Sequence, residues 1–318
     1  MDISAFRELP LAEVTRLVST AGPRVCVFPI NGTRRWFLLE YPASGEEDSL
    51  YCDVTAKRQI ELYGLLFDHG IGTLLTPIFG PDLLTRGEAY AQMATDGLAR
   101  LATHPDFLAF YRDYQVRVRF YGDYREFFRS TSHEYLVDLF DEATARTRSH
   151  DRYRLFFGVC AHDATDTIAR LAIQYHSQHG CVPDKRSLVE MYYGEYVEPV
   201  DLFVGFDKLC VFDMPLVATG NTDLYFTVSP SPYLSERQLR DILYDHLYSR
   251  RDGEPNYVAM GPDDWTWMKG FYTANLDRTL GVGMKQGRTW YPLLQAELPA
   301  NTTQRTASPD RAWKDHGF

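Results

Sequence analysis

The chain has 318 residues, enough for one large α/β domain or two small ones, with 45% hydrophobic and 24% charged residues, as in typical globular proteins. A net charge of −10 argues against binding to nucleic acid or to an anionic membrane, because such binding requires a basic surface. Five widely spaced cysteines without metal-ligand spacing predict reduced thiols and a cytoplasmic location. We expect neither a signal peptide nor a transmembrane segment.

Apolar runs alternate with amphipathic helical patterns along the chain. The expected strands are residues 25–30, 72–79, 115–121, 154–160, 202–205 and 224–227. The expected helices are residues 12–19, 55–69, 80–102, 163–179 and 235–249. This alternation predicts an α/β fold with a mostly parallel six-stranded sheet flanked by helices. The polar composition from residue 299 onward predicts a flexible C-terminal tail (299–318) after a single domain over residues 1–298.

The stretch 25–37 joins an apolar run to an Asn-Gly turn that is followed at once by Arg34 and Arg35. If the run is a buried parallel strand, the turn lies beyond its carboxyl end, where open α/β sheets bind ligands. The two guanidinium groups would then bind a diphosphate, since arginine contacts phosphate oxygens in bidentate fashion. The alternative is a surface β-hairpin, because Asn-Gly between apolar runs favours one. Pro29 weighs against the hairpin, since it cannot donate to a strand ladder.

Several common catalytic motifs are missing from the sequence. There is no Walker A motif, no Gly-x-Ser-x-Gly nucleophile elbow and no Asp-Asp-x-x-Asp run, which excludes the corresponding enzyme classes. The nine histidines show no metal-ligand spacing. His162 follows a predicted strand and is either a functional residue or a satisfied surface histidine. Asp263 and Asp264 are more typical of a helix N-terminus than of a metal site.

A series of short motifs occurs in a fixed order along the chain. They are Gly32-Thr33-Arg34-Arg35-Trp36-Phe37, Pro77-Ile78-Phe79, Gly80-Pro81-Asp82, Val116-Arg117-Val118-Arg119, Tyr121-Gly122-Asp123-Tyr124, Tyr192-Tyr193-Gly194-Glu195-Tyr196-Val197, Leu224-Tyr225-Phe226-Thr227 and Ile242-Leu243-Tyr244-Asp245-His246. In this order they resemble the cis-prenyltransferase family, and within it the branch of the tuberculosinyl adenosine transferases and related diterpene synthases. The resemblance extends from about residue 9 to residue 283.

The resemblance implies an enzyme that ionises an allylic prenyl or terpenyl diphosphate, with Mg²⁺ and arginines stabilising the departing diphosphate. The catalytic residues it implies are Asn31, Arg34, Arg35, Tyr51 and Asp82; an N-cap role is the alternative for Asp82. The substrate contacts it implies are Gly32, Thr33, Trp36, Phe79, Tyr121, Asp223 and Tyr225. It also implies a homodimer.

Two departures from the family pattern narrow the expected reaction. The metal-binding Asp of the first loop is Asn31 here, so either the Mg²⁺ site is weakened or another acid such as Asp223 supplies the negative charge. The run 205–215, where chain-elongating members carry arginines for a second diphosphate, has one Lys and no Arg. We therefore expect an acceptor other than isopentenyl diphosphate, such as a nucleoside. The alternatives are water, which would give a terpene alcohol, or a non-catalytic isoprenoid-binding relic.

Overall fold

Six parallel strands form one sheet in the order β3-β4-β2-β1-β5-β6. The structure is a computed structural model that describes residues 1–42, 48–80, 83, 87–251 and 257–292. The strands are β1 (Val25–Val27), β2 (Thr73–Phe79), β3 (Val116–Tyr121), β4 (Tyr153–Val159), β5 (Leu202–Phe206) and β6 (Asp223–Thr227). A separate antiparallel pair consists of β7 (Gly283–Gln286) and β8 (Thr289–Pro292). The predicted parallel α/β sheet is confirmed.

Helices precede, connect and follow the strands. They are α1 (Ile3–Arg7), α2 (Leu11–Ala21), α3 (Thr33–Glu40), α4 (Asp48–Asp68), α5 (Glu88–Thr103), α6 (Pro105–Asp113), α7 (Tyr124–Phe128), α8 (Tyr135–Arg146), α9 (Thr165–His179), α10 (Lys185–Tyr193), α11 (Glu236–Tyr244) and α12 (Pro262–Ala274). A π-helical turn at Asp245–Ser249 follows α11. None of the helices in the described part of the chain is long and apolar enough to cross a membrane.

The chain divides into two compact units. Residues 11–236 form the larger unit, which contains the six-stranded sheet, and residues 1–10 together with residue 237 onward form the smaller one. Within the smaller unit, the buried guanidinium of Arg240 donates to the carbonyls of Arg7 (3.0 Å) and Leu9 (2.7 Å), which holds the first residues against α11. The predicted tail at 299–318 lies outside the described residues, and the single domain over 1–298 stays a prediction.

The opening stretch is a strand that leads into a helix. The three residues of β1 are fully buried and pair in parallel with β2 and β5, and α3 begins at Thr33. The hairpin interpretation is therefore excluded, because the chain after Gly32 is helical. The next helix, α4, begins at Asp48, seven residues earlier than the sequence pattern predicts. The expected helix start at residues 80–82 is not seen, since Pro81 and Asp82 lie outside the described residues and α5 begins at Glu88.

The connections that leave β1 and β5 run toward opposite edges of the sheet. From β1 the chain crosses to β2 on one side, whereas from β5 it runs to β6 on the other. Because all six strands are parallel, their carboxyl ends share one edge of the sheet. In open α/β sheets, a crevice forms at this edge between two strands whose connections diverge. The fold therefore places a crevice beyond the carboxyl ends of β1 and β5.

Tyrosine hydroxyls fix the connection between β5 and β6 to the sheet. Tyr121, at the end of β3, donates to the carbonyl of Asp213 (2.9 Å), and Tyr193 on α10 donates to the carbonyl of Pro215 (2.8 Å). Burial raises the pKa of both tyrosines well above the ordinary value, so both remain proton donors at any physiological pH. Asp207, Asp213 and Leu216 in this connection have positive φ angles, which non-glycine residues adopt only when their surroundings hold them.

Candidate active site

A cavity of about 810 Å³ opens at the carboxyl ends of β1, β2 and β5, within the larger unit. This volume lies in the range of small-molecule sites. Its lining includes the first turn of α3 and one side of both α4 and α5. The positions on α4 run from Tyr51 to Gln59 and those on α5 from Tyr90 to Leu101, which at 1.5 Å per residue is about 12 Å and about 16 Å of wall. The cavity is therefore an elongated cleft that begins at the sheet edge and continues between two helices.

Gly32 makes the turn from β1 into α3 possible. Its φ of +76° lies in the left-handed region that favours glycine. A Cβ atom at this position would lie 2.8 Å from Phe206 Cε1 and 3.0 Å from Pro230 Cβ. The backbone at residues 31–32 is thus packed directly against the end of β5. Gly32, the N-cap residue, has no side chain that could cap α3, and the first turn of the helix lines the cavity, where the positive end of the helix adds partial positive charge.

Arg34 lies between two aromatic rings at the mouth of the cleft. Its guanidinium carbon is 5.7 Å from the ring centroid of Tyr51 and 6.0 Å from that of Tyr90, and Nη1 is 3.3 Å from Met93 Sδ. Ring faces attract a cation, so these contacts orient the positive charge of Arg34. Arg34 therefore lies at the boundary between the apolar cleft and the polar end of the cavity.

Arg35 extends toward the end of β5. Its Nη1 lies 3.5 Å from Asp207 Oδ2, and its guanidinium carbon is 5.3 Å from the ring centroid of Phe206. The Arg35 side chain is 45% exposed. An ion pair of this length and exposure contributes little to stability, so Arg35 can turn toward an anionic ligand at little energetic cost.

Tyr51 and Asn31 are also held in place at this end of the cavity. The Tyr51 hydroxyl is 2.8 Å from Thr33 Oγ1, and burial raises the Tyr51 pKa, so the phenol stays protonated at neutral pH. The backbone N–H of Asn31 donates to Ser231 Oγ (3.1 Å), and the backbone carbonyl of Asn31 accepts from the backbone N–H of Ser231 (3.1 Å). Ser231 is fully buried, so these hydrogen bonds fix the backbone at Asn31 to the protein interior.

The remainder of the cleft is mostly apolar. Its lining there comprises Ala56, Pro77, Ile78, Phe79, Met93, Ala94, Gly97, Leu98, Leu101 and Phe107. One polar group in this wall is the buried hydroxyl of Thr55, which has no hydrogen-bond partner in the described ranges of the chain. The cavity as a whole can bind an anionic head group at the arginines and a hydrocarbon between α4 and α5.

Comparisons with known proteins agree with this geometry. No protein-family model matches the chain. Tuberculosinyl adenosine transferase from Mycobacterium tuberculosis is 42% identical over 288 residues, which cover 90% of this chain and 96% of that protein. This chain belongs to the tuberculosinyl adenosine transferase branch of the cis-prenyltransferase family. It is accordingly an enzyme of the prenyltransferase and terpene synthase class.

More distant members of the cis-prenyltransferase family are also similar to the chain. (+)-Kolavelool synthase from Herpetosiphon aurantiacus is 24% identical over 296 residues, 91% of this chain and 95% of that protein. Two solved structures share the fold, each with a TM-score of 0.54. They are lavandulyl diphosphate synthase from Lavandula x intermedia (17% identity, 76% of this chain and 98% of that one) and a probable undecaprenyl diphosphate synthase from Campylobacter jejuni (15%, 73% and 97%).

The structure brings together most of the residues that the cis-prenyltransferase resemblance implies. Those that line the cavity are Asn31, Gly32, Thr33, Arg34, Arg35, Tyr51 and Phe79. Asp82 lies outside the described residues. His162, weighed in the sequence as either functional or superficial, lines the cavity and is exposed to solvent.

Four of the expected substrate contacts lie elsewhere than in the cavity lining that the described residues form. Trp36 is buried on α3 and packs edge-on against Tyr41. Tyr121 is buried in the core, where its hydroxyl holds the carbonyl of Asp213. Tyr225 lies within β6. Asp223 is the first residue of β6, so it lies at the amino edge of the parallel sheet, whereas the cavity opens at the carboxyl edge.

The cavity also contains residues that the sequence analysis did not assign. Asp207, Lys208 and Asp213, on the connection after β5, contribute charged side chains to the wall. From α5, Tyr90 and Gly97 line the cleft. The sequence contains a signal for the first group, because these residues directly follow a buried strand.

Gly32→Ala tests whether the turn at the start of α3 is fixed by its contact with β5. We expect the free energy of unfolding to fall by about 2–4 kcal/mol, because an L-residue is strained at this φ angle and the new methyl group would overlap Phe206. Urea denaturation measures the change. Gly220→Ala is the matched control, since a Cβ there meets no atom within 4 Å. Equal stability of the two variants would contradict the contact.

Proposed function

We propose that this enzyme ionises a terpenyl diphosphate in the cavity and transfers the hydrocarbon to a nucleoside, with adenosine as the first candidate, releasing diphosphate. The observation that carries the proposal is the pair Arg34 and Arg35 on the first turn of α3, at the mouth of an elongated apolar cleft. The 42% identity to a tuberculosinyl adenosine transferase supports the choice of acceptor.

The proposed chemistry starts with cleavage of the bond between C1 of the substrate and the diphosphate oxygen. The electron pair of that bond leaves with the diphosphate, where Arg34, Arg35 and the positive end of α3 stabilise the added charge. The allylic cation stays in the cleft, and the ring faces of Tyr51 and Tyr90 at its mouth favour positive charge. A lone pair on a ring nitrogen of the nucleoside that carries no hydrogen then forms the new bond to carbon. The positive charge of the allylic cation passes to the nucleoside ring, so no proton has to leave.

The charges of the opposite wall favour a neutral acceptor. Lys208 is accompanied there by two carboxylates, those of Asp207 and Asp213, so the wall carries a net negative charge. A second diphosphate at this wall would meet repulsion rather than neutralisation. A nucleoside is neutral and offers hydroxyl and amino hydrogens, which carboxylates accept well. This argument disfavours chain elongation with isopentenyl diphosphate.

Mg²⁺ is part of the same proposal. Although no group of three His, Cys, Asp or Glu side chains within the described residues would hold a metal ion, Mg²⁺ usually binds one or two protein oxygens together with substrate phosphates and water. The cavity offers such ligands, because Asp207 Oδ1 is buried and has no hydrogen-bond partner among the residues described, and Asn31 lines the same cavity. These residues fit the ion, which when bound would add positive charge to the leaving group.

The quaternary structure is proposed from the resemblance, which implies a homodimer. The edge strand β6 supports it, since Leu224 and Val228 at this edge are 40% and 54% exposed, and exposed strand edges are common sites of association. The cytoplasmic location stays a prediction of the cysteine pattern.

The products identify the acceptor. The purified chain is incubated with ten- to twenty-carbon allylic diphosphates, including bicyclic ones, with and without adenosine and Mg²⁺, and analysed by mass spectrometry. We expect a prenylated nucleoside and free diphosphate. A terpene alcohol formed equally with and without adenosine would replace the nucleoside by water as the acceptor. Unchanged substrate under every condition would leave the isoprenoid-binding relic as the better account.

Arg34→Ala and Arg35→Ala test the diphosphate site. Each variant loses a charge-assisted contact to the leaving group, which we expect to cost about 2–4 kcal/mol in the transition state, or roughly 30- to 900-fold in rate. Steady-state product formation measures the loss, and circular dichroism confirms folding. Arg148→Ala, on the exposed surface after α8, serves as the control and should keep the wild-type rate. Wild-type rates in both test variants would place the diphosphate elsewhere.

Gly97→Leu tests whether the hydrocarbon lies between α4 and α5. Gly97 lines the cleft, and a Cβ added there meets no atom within 4 Å, so a leucine side chain would occupy open cavity space. We expect kcat/KM for a twenty-carbon diphosphate to fall about tenfold or more relative to a ten-carbon one, equivalent to about 1.4 kcal/mol. Unfolding should not become easier, because leucine favours a helix over glycine. Gly97→Ala, with a single added methyl group, is the control. If Gly97→Leu lowered kcat/KM equally for both substrates, the hydrocarbon would not lie beside Gly97.

A further inference from the structure

Asp207 has an unusual environment at the carboxyl end of β5. Its φ of +68° is in the left-handed region, and its amide donates to the carbonyl of Thr227 (3.2 Å), which fixes the backbone beside β6. The side chain is 18% exposed. Oδ2 lies 3.5 Å from Arg35 Nη1, whereas Oδ1 is buried and has no hydrogen-bond partner within the described parts of the chain.

Such an oxygen is energetically costly. A buried carboxylate normally accepts hydrogen bonds at both oxygens, and an unpaired one loses hydration without compensation. The contact with Arg35 is too long for a hydrogen bond and reaches only the other oxygen. The Asp207 carboxylate is thus held at the cavity wall with unused capacity for a positively charged ligand.

Asn31 lies in the turn between β1 and α3, beside the end of β5. β1 and β5 are hydrogen-bonded neighbours, and the backbone at Gly32 is so close to Phe206 that no Cβ fits between them. Asn31 and Asp207 are the residues next to this contact on each side, and both line the cavity. The neutral side chain of Asn31 and the under-coordinated carboxylate of Asp207 therefore line the same part of the cavity.

We propose that Asp207 supplies the anionic oxygen for the divalent cation that accompanies the diphosphate, in place of the carboxylate that Asn31 lacks. The Asn31 amide oxygen then acts as a neutral second ligand. This inference rests on the proposed function for the presence of the diphosphate. It moves the negative charge of the site from the end of β1 to the end of β5, and it gives no metal-binding role to Asp223, which lies at the other edge of the sheet.

A competing account is that Asp207 only positions Arg35. The two accounts differ in what happens to diphosphate binding without metal. If Asp207 is a metal ligand, Asp207→Asn leaves metal-free diphosphate binding unchanged or stronger, because a repelling charge is removed, while the enhancement by Mg²⁺ is lost. If Asp207 only positions Arg35, Asp207→Asn weakens binding of diphosphate to the same extent with and without Mg²⁺.

Isothermal titration calorimetry with inorganic diphosphate separates these accounts without any turnover. Each protein is titrated in the presence of Mg²⁺ and in the presence of EDTA, and the ratio of the two affinities is the Mg²⁺ enhancement. We expect Asp207→Asn to reduce this enhancement about tenfold or more, because a neutral amide binds the ion far less well than a carboxylate. The double variant Asn31→Asp with Asp207→Asn should regain most of it. Asp138→Asn, on the exposed face of α8, is the matched control and should behave as wild type.

The variants are expected to fold, since asparagine tolerates positive φ angles about as well as aspartate. Should Asp207→Asn fail to fold, Asn31→Asp alone gives an independent test: it should strengthen diphosphate binding with Mg²⁺ and weaken it in EDTA. The inference is overturned if the Mg²⁺ enhancement is absent in wild type or unchanged in Asp207→Asn, or if Asp207→Asn weakens binding equally with Mg²⁺ and with EDTA. It is also overturned if the double variant regains none of the enhancement, or if Asp213→Asn causes the loss instead. Failure of the proposed function is a separate result, namely the absence of prenylated nucleoside from wild type while the calorimetric pattern holds.

Discussion

The close approach of Gly32 to Phe206 determines how the site is built. Because no Cβ fits between these residues, β1 and β5 end side by side, and the chain can leave β1 only through a left-handed glycine into a helix. That exit places the first turn of α3, with its two arginines, beside the space beyond β5. A sheet whose connections diverge at this point supplies the space itself. The anion-binding end of the cavity is thus a consequence of backbone packing.

The cavity separates charge from hydrocarbon along its length. Arg34 is oriented by two ring faces and a thioether, so its charge is placed at the boundary between the polar end and the apolar cleft. Arg35 is only weakly tied to Asp207 and stays available to a ligand. Positive charge on α3 and negative charge after β5 therefore meet at the polar end of the cavity. Such preorganised charges contribute to catalysis because they need not reorganise as the reaction proceeds.

Much of this arrangement could be predicted from the sequence. The six strands are apolar runs between helical patterns, and the arginines follow the first strand closely, so both the sheet and the position of the arginines beside the cavity could be predicted. The start of α4 could not be predicted, because residues 48–54 mix polar and apolar side chains without a clear helical period. The position of Asp223 also required the structure, because a motif does not reveal that its first residue opens a strand at the opposite edge. The unsatisfied oxygen of Asp207 depends on three-dimensional burial, which no linear pattern records.

The tyrosine hydrogen bonds to the connection after β5 have a consequence for how this enzyme can diversify. The hydrogen bonds from Tyr121 and Tyr193 to that connection go to the backbone carbonyls of Asp213 and Pro215. Contacts to carbonyl oxygens do not depend on side-chain identity, so exposed residues such as Lys208 and Cys210 can be exchanged while the loop keeps its path. Residues 208–211 are therefore the part of this wall that can vary most freely, and directed evolution confined to them would change the charge and shape of the wall while leaving Asp207 and the arginines of α3 unchanged.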